Sequence, residues 1–248
     1  MNNFQRIGNF TSSTIVALIK EGHKPGTLGV PALTYISECN MERRLGRLLE
    51  TEVDTRPTSW GHLCEAIAFE LLPTTYRLCS KETLGHSKIN FWKGSPDAIK
   101  HDEEGKTVGD IKAPFTLKSF CQLVDAWLEG GIDAIRLKHK DGEKFYWQLV
   151  SNAIITDSDF AELIVYCPYL SELQNIRQLV EGNPTYYWVW GSSDEQLPYL
   201  PDGGYYHNLN VMRFEVPKKD KILLRKRVLL AGEKLVSPMH PVKAQHFE

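Results

Sequence analysis

This chain of 248 residues lacks the marks of a disulfide-held, zinc-bound or membrane-spanning protein. Its five cysteines, at 39, 64, 79, 121 and 167, are odd in number, scattered, and never spaced C-x-x-C. That pattern argues against a disulfide framework and a cysteine-held zinc or iron–sulfur site, and for a reduced, intracellular protein. The histidines contain no H-x-x-x-H pair, so a metal would have to sit among carboxylates. No run approaches eighteen apolar residues, and residues 1–9 carry no apolar leader core, so neither a membrane span nor a secretory signal is expected. A net charge of −2 removes the case for a globally basic nucleic-acid binder and leaves only local patches. No internal repeat or low-complexity linker is visible. We expect one domain over residues 1–200, with residues 201–248 as an extension packed on it or trailing from it.

What the chain does have is a charged segment over residues 93–114. Two short runs of strand character flank a turn cluster at residues 101–105, which reads as a hairpin. Strand alternation puts Asp110 and Lys112 on one face and Ile111 on the other. A two-residue turn centred on Glu103-Glu104 sets Asp97 opposite Asp110. Centring it on Glu104-Gly105 sets Asp97 opposite Lys112. Either register keeps Asp97, Asp110 and Lys112 cofacial, whereas a three-residue loop would not. Two carboxylates and an ammonium held together need partners or solvent. Hard divalent cations such as Mg²⁺ want oxygen clusters of this kind. A solvated hairpin face with an ordinary salt bridge uses the same residues, and this segment alone leaves both readings open.

Around it, Thr11-Ser12-Ser13 predicts a capped helix beginning at Thr14, whose N–H groups, with Arg6 upstream, could hold a phosphate or simply be capped. A helix is predicted over residues 32–49, with Arg43, Arg44 and Arg47 facing a phosphate backbone or solvent. Residues 60–72 predict a second helix with Trp60, Leu63, Cys64, Ile67, Ala68 and Leu71 in one stripe and Glu65 at its edge. A strand is expected near 89–92, a helical or mixed stretch over 115–128 ending at Gly130-Gly131, and a helix over 144–156 with Gln148 off its apolar face. Residues 161–167 and 186–190 read as strands, with Trp188 and Trp190 in the core, and 191–206 as a loop. Lys218, Lys219, Lys221, Arg225, Lys226 and Arg227 form a basic cluster that could grip DNA, dock a partner or solvate a helix.

The order of these elements resembles the PD-(D/E)xK nuclease superfamily and, more narrowly, the phage lambda exonuclease or YqaJ-type viral recombinase family. The resemblance spans roughly residues 6–170. Arg6-Ile-Gly-Asn-Phe-Thr-Ser-Ser13 resembles the family's Arg-x-Gly…Thr-(small)-Ser element, and Trp60-Gly-His-Leu-Cys-Glu65 its Trp-Gly-x-x-x-Glu helix. Gly94-Ser-Pro-Asp97 matches the first acidic motif, Asp110-Ile-Lys-Ala-Pro-Phe115 the second, and Phe145-Tyr-Trp-Gln148 resembles the aromatic-Gln helix. Two departures stand out: Asp110 occupies a position where lambda exonuclease has Glu, and Val150 replaces the second Gln of a frequent Gln-x-Gln.

The resemblance implies an α/β (α+β) restriction-endonuclease-like core, a central mixed β-sheet flanked by helices. It implies a Mg²⁺-dependent exonuclease, Mn²⁺ substituting, with one or two ions on Asp97, Asp110, the Ile111 carbonyl and Glu65. Lys112 would orient or deprotonate the attacking water, with its pKa lowered by desolvation, and Gln148 would position water or a phosphate oxygen. Arg6 and Ser13 would grip the 5′-phosphate of linear double-stranded DNA, giving 5′→3′ resection to 3′ overhangs. Those overhangs would feed a single-strand annealing protein, from a cytoplasmic, phage- or bacterium-encoded enzyme that is often a ring-shaped homotrimer in this family. A restriction- or repair-type endonuclease would use the same cluster but cut closed circles. A non-catalytic DNA-binding relic would need a damaged acidic set, and Glu65, Asp97, Asp110 and Lys112 are all present.

Overall fold

The structure is a computed structural model that describes residues 6–49, 55–79 and 82–237. Strand β1 (Phe10–Thr11) leads into a 3₁₀ turn at Ile15–Leu18, not into the helix predicted from Thr14. Thr14 makes no capping bond, and the apolar run from Ile15 to Ile19 is too short before Gly22, Pro25 and Gly26 to sustain further turns. Helix α1 (Val30–Leu45) accepts Pro31 in its first turn, where a missing N–H costs nothing. It ends at Gly46, whose left-handed φ of 69° stops it short of the predicted residue 49. Helix α2 (Arg56–Glu70) begins before the predicted residue 60 because Thr55 caps the Thr58 N–H and Pro57 suits the first turn.

The remaining strands are β2 (Tyr76–Leu78), β3 (Leu84–Gly85), β4 (Trp92–Gly94), β5 (Ala98–Asp102), β6 (Gly105–Lys112), β7 (Phe160–Tyr166) and β8 (Leu209–Glu215). Among the described residues they form a β1-β4-β3 sheet and a β2-β5-β6-β7-β8 sheet. In the β5–β6 hairpin Asp102 faces Gly105 and Ala98 faces Gly109. The turn is therefore Glu103-Glu104, and the register that sets Asp97 against Asp110 is the one adopted. Strands β6 and β7 run parallel, which requires a crossover; α3 (Leu117–Lys138) and α4 (Gly142–Thr156) supply it. The architecture is the expected mixed sheet flanked by helices.

Alternation along the strands splits the core in two. Val108, Leu163 and Val165 point toward α1, α3 and α4, while Ile111, Ile164 and Tyr166 meet Trp60, Leu63 and Cys64 of α2. Within α3 the helical backbone breaks at Gly130-Gly131, as expected, Gly131 taking a φ of 63°, and a second helical stretch follows directly to Lys138.

Residues 186–190 are not a strand. After α5 (Leu173–Leu179), Asn183 caps a 3₁₀ turn at Pro184–Tyr186 that runs into the single turn α6 (Tyr187–Trp190). The edge of β7 is already taken by β8. Trp188 does pack on Trp60 and Phe115, but Trp190 is 48% exposed and is not core.

The basic residues also divide. Arg227, on α7 (Lys218–Gly232), is fully buried and donates to the carbonyls of Leu18 (2.7 Å), Lys20 (2.9 Å) and Thr27 (3.0 Å). Lys221 donates to the Ser158 carbonyl. The cluster is thus partly an internal anchor, not one charged surface. Arg43 likewise faces inward, donating to the carbonyls of Gly8 (2.6 Å) and Val236 (2.8 Å), whereas Arg44 and Arg47 stay exposed. No helix among the described residues is long and apolar enough to cross a membrane.

Candidate active site

The C-terminal end of β6 turns Asp110 and Lys112 toward α4, as strand alternation requires. Asp110 is buried, and its Oδ1 accepts from Gln148 Nε2, on α4, at 2.6 Å. Its Oδ2 lies 2.5 Å from Lys112 Nζ as an ion pair and accepts no well-directed hydrogen bond. Lys112 Nζ also donates to the Ile111 carbonyl (3.2 Å) and sits 5.8 Å from the centre of the Phe145 ring. Across the hairpin, Asp97 Oδ2 accepts from the Ile111 N–H at 2.7 Å. Glu65 approaches from α2 and interacts electrostatically with Lys112 and Asp110. The structure therefore links Asp97, Ile111, Lys112, Asp110 and Gln148 by direct contacts, with Glu65 near enough to interact electrostatically with Lys112 and Asp110.

Burial first, then the Asp110 charge, push the Asp97 carboxyl well above the usual carboxylate range. Burial also raises Glu65, against the pull of Lys112. For Lys112, burial acts downward, as the sequence reasoning expected. Asp110, Asp97 and Glu65 together outweigh it, and the net shift is upward.

Among the described residues, no three Asp, Glu, His or Cys side chains are already gathered as a finished metal site. Lys112 takes the place beside Asp110 that a cation would compete for. The donor chemistry nevertheless suits a hard divalent ion: oxygen ligands throughout, more acids than bases, and a buried Asp110 oxygen held by an ammonium that a cation would displace.

Beside this cluster is a cavity of about 30 Å³, lined by Arg6, Ser12, Ser13, Lys93, Ser95 and Gln148 among others. Arg6 Nη2 donates to Ser13 Oγ at 3.4 Å, and Thr11 Oγ1 lies 3.3 Å from that same hydroxyl. Gly8, between Arg6 and β1, has a φ of +62°, and a Cβ there would fall 2.3 Å from Arg43 Cγ. Among the described residues its wall includes Arg6, Lys93 and several hydroxyl residues, and no carboxylate. Gln148 belongs to both the cavity and the acid–lysine cluster. Sequence reasoning found Arg6 and Ser13 but missed Lys93 and Ser95. They join the wall because β1 pairs in parallel with β4, setting Thr11 against Lys93, a contact between distant segments that no local spacing displays.

No protein-family model matches the chain, and no curated protein matches it. Solved structures do. An alkaline exonuclease, LHK-Exo, from Laribacter hongkongensis has 16% identity and a TM-score of 0.58, over 92% of this chain and 89% of that one. LHK-Exo in complex with dAMP has 14% identity and a TM-score of 0.57, over 94% and 90% of the two chains. A phage related exonuclease from Haemophilus somnus 129PT has 14% identity and a TM-score of 0.57, over 91% and 92%. The chain thus carries the fold of these alkaline and phage-related exonucleases, in agreement with its resemblance to the lambda exonuclease family.

Proposed function

We propose that the protein is a Mg²⁺-dependent exonuclease that degrades one strand of linear double-stranded DNA in the 5′→3′ direction. The observation that carries this reading is the shared Gln148, which ties a carboxylate-free cationic cavity to a carboxylate–lysine cluster. A terminal phosphate seated in the cavity leaves the adjoining phosphodiester beside the acids. That arrangement suits an enzyme that starts from an end.

Asp97, Asp110, Glu65 and the Ile111 carbonyl would hold one or two Mg²⁺ ions, or Mn²⁺ in their place. Bound there, the metal would neutralise charge on the phosphate and favour ionised water. Lys112 Nζ, paired with Asp110 and touching the Ile111 carbonyl, would orient the attacking water or take its proton. Gln148 Nε2 keeps Asp110 Oδ1 aimed and offers its second N–H to water or a phosphate oxygen. Arg6, Ser13 and Lys93 grip the 5′-phosphate through charge and hydroxyl donors, which sets polarity without reading bases. The 3′ overhang would pass to a single-strand annealing protein in phage-type recombination, from an enzyme working as a homotrimer.

The test is digestion, with Mg²⁺, of linear duplexes bearing 5′-phosphate or 5′-hydroxyl ends beside a closed circle. Loss of the phosphorylated strand with an intact circle is the expected result. A cut circle would instead identify an endonuclease, and no cleavage in Mg²⁺ or Mn²⁺ would leave only DNA binding.

A further inference from the structure

Under the cavity runs a buried chain of donors that the chemistry above does not use. The Trp92 indole N–H donates to Ser151 Oγ at 2.8 Å, and Ser151 Oγ lies 2.7 Å from Ser12 Oγ. Trp92, Ser151 and Ser12 are all buried, and Ser12 lines the cavity. An indole N–H can only donate. Ser151 Oγ is therefore the acceptor there, and its own proton is free to go to Ser12 Oγ. Ser12 then keeps its proton for a partner of its own. The carbonyl within its reach, that of Lys93, is at 3.4 Å, longer than an ordinary O–H···O bond.

A second feature points the same way. Asn152 follows Ser151 on α4 and is wholly buried, yet neither of its amide atoms has a hydrogen-bond partner. Its side chain faces the cavity floor: a Cβ on Gly94 would fall 2.4 Å from Asn152 Oδ1 and 2.5 Å from Ser12 Oγ. Buried amides are rarely left unpaired unless water or a ligand completes them.

We propose that Ser12 donates directly to the anion in this cavity and that Trp92 and Ser151 are positioning residues that fix the direction of its proton. The inference rests on reading the cavity as the seat of the 5′-phosphate. Each member of the relay accepts from the one behind it, which polarises the last hydroxyl and strengthens it as a donor.

The experiment measures affinity for a duplex carrying 5′-phosphate against the same duplex carrying 5′-hydroxyl, in EDTA, so that no cleavage enters. Wild type should prefer the phosphorylated end. Ser12→Ala should cut that preference about tenfold, as expected for a lost charge-assisted donor. Ser151→Ala should cut it by about threefold, since Ser12 remains but can turn away. The double variant should be no worse than Ser12→Ala alone, because Ser151 acts through Ser12. Affinity for the hydroxyl end should stay constant, which also reports an intact fold. Should Ser151→Ala fail to fold, Ser151→Cys keeps the volume with a weak donor and serves in the same cycle. If wild type prefers phosphate and both single variants keep that preference, the relay is wrong while the cavity reading stands. Additive losses would also overturn it, since Ser151 would not be acting through Ser12. If wild type shows no preference, the cavity reading and the relay fall together.

Discussion

Arg227 is a sharp test of how the fold is held, because an arginine in a basic run on a C-terminal helix would ordinarily be assigned to solvent. Among the described residues its guanidinium has no carboxylate partner; it donates instead to the carbonyls of Leu18, Lys20 and Thr27 at 2.7–3.0 Å. These carbonyls lie just downstream of the Arg6–Ser13 segment, so α7 pins the loop on which the cavity wall rests. Arg227→Met keeps much of the side-chain volume but leaves those buried acceptors unpaired. Hydrogen bonds to a charged donor are worth about 1.5–3 kcal/mol each, and rebuilding around the apolar chain recovers part. Breaking such a buried charged network costs about 3–4 kcal/mol in all. For a chain of this size that corresponds to a fall in melting temperature of roughly 10 °C. Thermal unfolding followed by circular dichroism measures it, with Lys226→Met as the comparison, since Lys226 is exposed on the same helix and should barely move. A drop no larger for Arg227→Met than for Lys226→Met would refute the anchoring role.

Lys112→Ala should lower kcat on phosphorylated linear duplex by about a hundredfold or more, with little change in duplex affinity; unaltered turnover would sink the mechanism. EDTA should abolish cleavage and added Mg²⁺ or Mn²⁺ should restore it, whereas activity that persists after exhaustive chelation would exclude Asp97 and Asp110 as metal ligands in the reaction. Gly94→Ala places a methyl on Asn152 Oδ1 and Ser12 Oγ, so the preference for 5′-phosphate in EDTA binding should disappear. Gly8→Ala adds a left-handed backbone penalty to a collision with Arg43, and should cost about 1–3 kcal/mol in urea unfolding.

Local pattern accounts for much of what was legible beforehand. The apolar stripes of α2 and α4 and the alternation of β6 are written within a few residues of one another. The helices, and the shared face of Asp110 and Lys112, could therefore be read from spacing, with ends displaced by caps at Thr55 and Gly46. The hairpin was readable to within two registers, and the Glu103-Glu104 turn chose between them. Residues 186–190 misled because an aromatic, β-branched run has strand propensity. In the fold the run instead follows the Asn183-capped 3₁₀ turn as a single helical turn, with Trp188 packed on Trp60 and Phe115.

What the sequence by itself determined is therefore the set of chemical groups, their local faces and the family they resemble. Tertiary structure alone decided which of those groups meet. The pairing of β1 with β4 brings Lys93 to the cavity, and the packing of α4 on β6 brings Gln148 to Asp110. The acids around Lys112 shift its pKa upward where desolvation alone would lower it. Arg43 and Arg227 have the composition of a surface and the contacts of a core. Periodicity is encoded by near neighbours along the chain. The direction and partner of a long charged side chain depend on which distant segments pack beside it, and no local spacing records that.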